Sequence, residues 1–337
     1  MKMSKITIAG TLYIDYILPF ELLPKAGETV VTDTMERVVG GKGANQAVMC
    51  RKLGAEAYLL GAVGNDTNGI LALDTLQALD VKCDYVFRNP KEATGLSVIA
   101  VDHAGNNMIL SYGGANNAFP LEALSRAQAA IFAADAILLH AEFPHEGGKF
   151  LVTWAREQGI PLFITPSPPQ RVAELSLSGM YYLMPNQTEA EYLTGVHVDG
   201  VETAVIAGQK LAEQGVPVSV ITLGDKGAFL TTQHPYAVTH MAPTQTIQIH
   251  VPPYEVHAVD TTAAGDAFCA AFASYLVGIG KAKAPNLEEI SAATRFATAV
   301  GALTVSKRGA IPALPTITEI KQFLYRFGDA PILDNLW

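Results

Sequence analysis

Short apolar runs alternate with amphipathic stretches through most of the chain. Residues 5–9, 57–63, 136–141, 161–164, 181–184 and 219–222 have the length and character of buried strands. Between them, residues 43–53, 69–78, 121–133, 146–158 and 202–214 carry helical periodicity. Gly54, Gly159 and Gly215 each follow one of these helices, where a left-handed residue ends a helix without steric cost. Such alternation predicts βαβ units around a mostly parallel sheet covered on both faces.

Two stretches break the rhythm. Residues 11–39 hold strand-like pieces punctuated by Pro19, Pro24 and Gly27. Residues 94–112 read as two alternating strands, 94–101 and 107–112, joined by the turn-like Asp102-His-Ala-Gly-Asn106. These predict a separate small sheet over one end of the main one, suited to act as a lid. No Pro/Gly/Ser-rich linker or run of like charge divides the chain, so residues 1–337 are expected to form one α/β domain carrying these segments.

Composition narrows the chemistry. Of 337 residues, 49% are hydrophobic and 16% charged, which supports a large core and excludes disorder. A formal net charge of −9 argues against nucleic acid as a main partner, because backbone binding uses clustered Lys and Arg. It leaves room for a nucleotide, whose phosphates can be held by local backbone donors and Mg²⁺. Cys50, Cys83 and Cys269 are far apart and form no CxxC pair, which fits a reducing cytosol. The apolar start is interrupted by Asp15 and lacks a small-residue cleavage site, so it reads as a first strand rather than a leader. No apolar run approaches ~20 residues, the length needed to span a membrane. The eight histidines form no zinc-binding spacing.

Two segments carry chemistry of their own. Asp260-Thr-Thr-Ala-Ala-Gly-Asp266 runs into the helical Ala267-Phe-Cys-Ala-Ala-Phe-Ala-Ser-Tyr-Leu276. Small residues permit a tight turn, and the free amides of Ala263, Ala264, Gly265 and Asp266 would converge on one spot, aided by the helix dipole. That arrangement stabilises negative charge; equally, Asp266 could simply cap the helix. Gly40-Gly-Lys-Gly-Ala-Asn45 precedes another helix, and its glycines leave space in which Lys42 and Asn45 could bind hydroxyls. It is not a Walker A loop, and by itself it could be a plain tight turn.

Together these segments resemble the ribokinase, or PfkB, family of carbohydrate kinases, from Gly10-Thr-Leu-Tyr-Ile-Asp15 to Lys307-Arg-Gly-Ala-Ile-Pro312. The resemblance implies a three-layer α/β/α sandwich with a mostly parallel sheet and a small β-sheet lid, which would also carry a homodimer interface. It implies ATP, Mg²⁺ and K⁺ as reaction partners and Asp266 as the base that takes a proton from a primary sugar hydroxyl. Ala263, Ala264 and Gly265 match the anion hole with it. Asp15, Gly41, Lys42, Asn45, Glu142 and Asp260 match sugar-binding positions. Met184-Pro-Asn-Gln-Thr-Glu-Ala-Glu191 looks like the family's NxxE segment, with Asn186 and Glu189 near Mg²⁺ and the phosphates. Thr188 and Glu191 also fit a capping box there, and the Asn186 sequon is discounted for a cytosolic chain. Thr222, Gly224 and Gly227 would lie along the nucleotide, and Thr298, in a helix expected over 293–306, beside its base. Asp260, Thr262, Thr304, Lys307 and Gly309 match carbonyl donors to the monovalent cation.

The substrate stays open among a ribose relative, another sugar and a nucleoside. Tyr13 stands where ribokinases usually carry Asn; it could fill space beside a ring hydroxyl, stack on a base, or point into the core. Lys42 is the one base identified in the expected pocket, which disfavours a sugar already phosphorylated. A catalytically silent sugar-binding regulator is the reading from another class; it has no need for the carboxylate in Ala-Ala-Gly-Asp266.

Overall fold

The computed structural model describes residues 3–173, 175, 182–234 and 245–334. The strands are β1 (Lys5–Ala9), β2 (Tyr13–Pro19), β3 (Glu36–Gly40), β4 (Glu56–Gly64), β5 (Val86–Asn89), β6 (Leu96–Val101) and β7 (Asn107–Tyr112). They continue with β8 (Ala136–His140), β9 (Leu162–Thr165), β10 (Tyr182–Leu183), β11 (Val218–Thr222), β12 (Ala228–His234) and β13 (Gln245–Val251). The helices are α1 (Lys42–Lys52), α2 (Thr67–Ala78), α3 (Leu121–Phe132), α4 (His145–Gln158) and α5 (Pro169–Ala173). After these come α6 (Gln187–Thr194), α7 (Val201–Glu213), α8 (Ala264–Gly278), α9 (Leu287–Val305) and α10 (Ile317–Arg326).

Among the described residues the main sheet runs β13-β12-β11-β10-β9-β8-β1-β4-β5, parallel from β11 to β5 and antiparallel at the β12 and β13 edge. Each strand feeds two cores because its side chains alternate between faces. Ile6 and Ile8 of β1 join a cluster with α1, α2, α8 and α9, while Ala9 joins the opposite cluster with α3, α4 and α7. This two-sided burial is why the strands read as continuous apolar runs. Helix α8 is buried from Asp266 to Val277, and its small residues let α1 and α9 pack closely on either side. Phe163 of β9 stacks on Tyr182 of β10 with ring centroids 4.3 Å apart, and Phe272 of α8 meets both edge-on, which fixes α8 against the sheet.

The irregular segments form a second sheet in the order β3-β2-β6-β7. Strand β7 is exposed along its whole length, including Met108, Ile109, Leu110 and Tyr112. The long C-terminal helix begins earlier than expected: α9 starts at Leu287, because Asn286 and Glu289 form a capping box there. The expected strand over 181–184 is reduced to β10, and Tyr181 lies outside the described residues.

Sheet order reverses between β1 and β8: the chain moves from β1 outward to β4 and β5, then returns to build the other half from β8. The crevice above the carboxyl ends of such neighbouring strands is the natural ligand site of an open α/β sheet. Here the chain leaves β1 at Gly10, and α1 enters against it at Gly43. A Cβ on Gly43 would lie 2.6 Å from the Gly10 carbonyl carbon, and one on Gly10 would lie 2.7 Å from the Gly43 Cα. Neither position can yield, since both neighbours are backbone. Gly43→Ala should therefore lower the unfolding free energy by about 1–3 kcal/mol, the usual cost of overpacking, as read from chemical denaturation.

Candidate active site

The first half of the site is assembled around Glu142, just past β8. Its carboxylate accepts Lys42 Nζ at 2.6 Å and the Thr11 hydroxyl at 2.7 Å. Its amide donates to His140 Nδ1 at 3.1 Å, and its carbonyl accepts Arg171 Nη1 at 3.0 Å. Accepting at Nδ1 leaves the proton of a neutral His140 on Nε2, and burial pushes that imidazole down to about 3. Burial opposes the Glu142 charge, but His140, Lys42 and Thr11 outweigh it and hold the carboxyl below its usual range. Burial likewise opposes the Lys42 ammonium, and Glu142 more than offsets it, raising the Lys42 pKa. The pair is charged across the working pH range.

Gly41 supplies the turn that delivers Lys42. Its φ is 97°, and a Cβ there would sit 2.6 Å from the Thr11 carbonyl oxygen. Asp15 lies on β2 against Gly40, with its pKa raised by burial despite Ser97 and Lys42. Tyr13 does not point into the core: it is half-buried, its pKa raised first by burial and then by Glu142, with Lys42, Asn116 and Arg171 also near. Arg171 corrects the view that Lys42 is the one base in this region. It left no visible signal in the sequence, because α5 is a five-residue helix with too little periodicity to see.

The second half is the start of α8. Ala263 occupies the left-handed region at φ 62° and ψ 4°, a strained conformation for a residue with a Cβ, and no side chain caps the helix. Among the described residues the amides of Ala263, Gly265 and Asp266 have no acceptor, but Ala264 N–H donates to the Thr261 carbonyl at 3.3 Å. The expected set of four free amides is thus three plus one weakly engaged. Asp266 is buried, 7% exposed, and Asn45 Nδ2 of α1 donates to its Oδ2 at 2.8 Å. Asp266 is no conventional cap: it lies inside the helix, and its carboxylate is bonded to another helix. Burial pushes its pKa up to about 7, against the pull of Asn45, Lys42 and Gln46.

A cavity of about 530 Å³ opens beside this turn. Its walls include Ala264 and Gly265 together with Thr222, Gly224, Gly227 and Thr298, bringing four of the five expected nucleotide residues into one space. A Cβ on Gly265 would meet nothing within 4 Å. The Thr298 hydroxyl is turned back to the Thr294 carbonyl of its own helix. Asn186 lies next to Thr222 through an isolated parallel bridge, although it does not line the cavity. The capping box here pairs Asn186 with Glu189, two residues before the expected Thr188 and Glu191, because α6 begins at Gln187. Glu189 is buried, and its pKa is raised by that burial despite the Asn186 amide, Ser167 and Lys42.

The loop expected to hold a monovalent cation is tied by the Asp260 carboxylate, which accepts the Thr262 amide and hydroxyl and the Gly309 amide. Its carboxylate is thereby engaged within the loop. The Thr304 carbonyl already accepts the amides of Ser306 and Lys307, so it is the least available donor of the set. Lys307 extends its ammonium to Glu319.

A sequence model described as pfkB family carbohydrate kinase matches residues 3–317. The chain belongs to this family. A ribokinase of Haemophilus influenzae is 30% identical over 95% of this chain and 98% of its own length. A deoxyribokinase of Salmonella typhi is also 30% identical, over 95% of this chain and 98% of its own. The structure of Arabidopsis thaliana ribokinase complexed with ribose and ATP superposes with a TM-score of 0.81 at 31% identity, covering 96% of this chain and 99% of that one. Family membership makes the chain a carbohydrate kinase, a phosphotransferase acting on an alcohol group.

The burial of Asp266 has a stability consequence whose sign follows from proton linkage. An unfolded Asp titrates near ~3.9, while the folded group holds its proton to about 7. The native state thus binds more protons between these values, and this contribution makes stability fall as pH rises through that window. Asp266→Asn removes it. The stability advantage of the variant over wild type should widen from pH 4 to pH 7 and then level off, as measured by urea titrations across pH.

Proposed function

We propose that this kinase transfers the γ-phosphate of ATP to the primary hydroxyl of a small free sugar, with Asp266 as the base. The observation that carries the reading is the position of Asp266. Its carboxylate is bonded to the Asn45 side of the crevice, while its own helix start lines the cavity of about 530 Å³. A carboxyl with a pKa of about 7 is well matched to accept a hydroxyl proton near neutrality.

On this reading Lys42, Asn45, Asp15, Glu142 and the Gly41 backbone grip the sugar hydroxyls, with Asp260 beside them. The cavity takes the nucleotide between Thr222, Gly224, Gly227 and Thr298, with Asn186 at its edge. The amides of Ala263, Gly265 and Asp266, with Ala264 in a lesser part, face the charge that develops on the transferring group. Mg²⁺, held near Glu189 and Asn186, would neutralise phosphate charge. A monovalent cation such as K⁺ would take carbonyl oxygens of Asp260, Thr262, Lys307 and Gly309, with Thr304 nearby. Positioning and charge stabilisation then supply most of the catalysis. The sheet formed by β2, β3, β6 and β7, drawn from segments 11–39 and 94–112 with Gly40 added, would close over the sugar and exclude water. Its exposed apolar strand β7 would pair with a second copy of the chain. Ribose or deoxyribose is the first substrate to try, given the names of the relatives. Tyr13, half-buried beside Lys42 and Glu142, keeps a nucleoside as the second reading, because its ring could stack on a base. Three buried, unpaired cysteines suit a cytoplasmic enzyme.

Product formation from ATP and Mg²⁺ over pentoses, hexoses and nucleosides, with and without K⁺, tests the reading directly. A phosphorylated nucleoside but no phosphorylated sugar would favour the second reading; sugar binding without turnover would favour a regulator. Asp266→Asn should lower kcat by about 10²–10⁴-fold while calorimetric sugar affinity stays near wild type; wild-type turnover would refute the assignment. Because the base must be ionised, kcat/KM should climb with pH and level off above about 7. Ile109→Lys should convert a sedimenting dimer to monomer by placing charge on the apolar strand.

A further inference from the structure

The cavity wall formed by Pro253, Tyr254, Glu255 and Val256 is held by groups that take no part in the site described above. Arg295 of α9 lies over the Tyr254 ring, 3.6 Å from its centroid, and donates from Nη1 to the Pro252 carbonyl at 2.6 Å. The same guanidinium reaches Asp329 Oδ2 through Nε and Nη2, each at 2.8 Å. The Tyr254 hydroxyl donates to that oxygen as well. Phe323 and Phe327 pack edge-on against the Tyr254 ring, both with centroids at 5.1 Å. Asp329, just past α10, thus joins three separate parts of the chain at one oxygen atom.

Tyr254 is only 5% exposed, so it shapes the wall rather than offering a face to a ligand. The wall also touches the turn beside it. A Cβ on Gly227 would meet the Val251 carbonyl oxygen at 2.2 Å and Pro253 N at 2.8 Å, and His250 Nε2 contacts the Lys226 carbonyl at 2.8 Å. A shift of residues 251–253 would therefore press on the adjoining Gly224–Lys226 turn, whose Gly224 and Asp225 also line the cavity. We propose that Arg295 and Asp329 are positioning residues for the nucleotide, a clamp by which the C-terminal segment sets the width of the ATP cavity.

The inference rests on reading this cavity as the nucleotide site, and calorimetry with ATP in the absence of sugar separates the two ideas. Asp329→Ala should weaken ATP binding by about 10-fold and raise KM for ATP to match, while KM for the sugar and kcat at saturating ATP stay within about 2-fold. Asp329→Asn keeps an acceptor for the Tyr254 hydroxyl but drops the charge that holds Arg295, and should fall between. It also serves if the alanine variant does not fold. Unchanged ATP affinity in either folded variant would overturn the clamp, as would an equal rise in both KM values. A wild type that binds ATP but phosphorylates no sugar would sink the proposed activity and leave the clamp standing on its binding data. A wild type that binds no ATP would overturn both.

Discussion

Everything in the site hangs on the backbone contact between Gly10 and Gly43. Side chains at either position would force α1 away from the end of β1 by more than the packed core can absorb. With both side chains missing, the N-terminus of α1 sits against the carboxyl end of the central strand. Lys42 then reaches Glu142 past β8, and Asn45 reaches Asp266 at the head of α8. One tight approach thereby brings three distant segments to the crevice where the sheet order reverses.

Placing charge in that crevice is costly, and the protein handles its two carboxylates in opposite ways. Glu142 is matched by an ammonium and a hydroxyl, so its charge persists in a largely buried setting. Burial of Asp266 is opposed by the Asn45 and Gln46 amides and the Lys42 cation, too little to offset it, and so the group holds its proton to about neutrality. Two carboxyl groups in neighbouring environments thus differ in charge near neutrality, as the proposed division between sugar binding and proton transfer requires. The strained Ala263 and the uncapped start of α8 fit the same pattern. Local stability is given up where unpaired amides and a poised carboxyl are needed, and the buried aromatic packing of Phe163, Tyr182 and Phe272 holds the helix in place.

Several features were legible because they are local. The Gly40-Gly-Lys-Gly loop and the Ala-Ala-Gly-Asp266 stretch could be read as tight turns from residue type alone, since close backbone approach needs glycine or alanine, and their roles came from resemblance. The two strands over 94–112 were visible from their period of two. Others were hidden because their signal is spread over the fold. Arg171 sits on a helix of five residues, His140 looked like one more strand position, and the Asn186 cap was masked by a second capping pattern two residues on. The Arg295–Asp329 contact to Tyr254 joins an aromatic loop, a helix and a C-terminal turn that share no motif.

The sequence by itself determined most element types, the two-faced parallel sheet, the two glycine- and alanine-rich turns and the identity of the carboxyl at the head of α8. These depend on periodicity and on steric rules acting within a few residues. Only the tertiary structure decided that carboxyl's surroundings. Read locally, Asp266 could have been a helix cap. Its partner Asn45 is 221 residues away, and Lys42 and Glu142 are 100 apart. Strand order and the close approach of α1 to β1 bring such positions together, and burial, a property of the whole fold, raises the pKa to about 7, the value the proposed base needs.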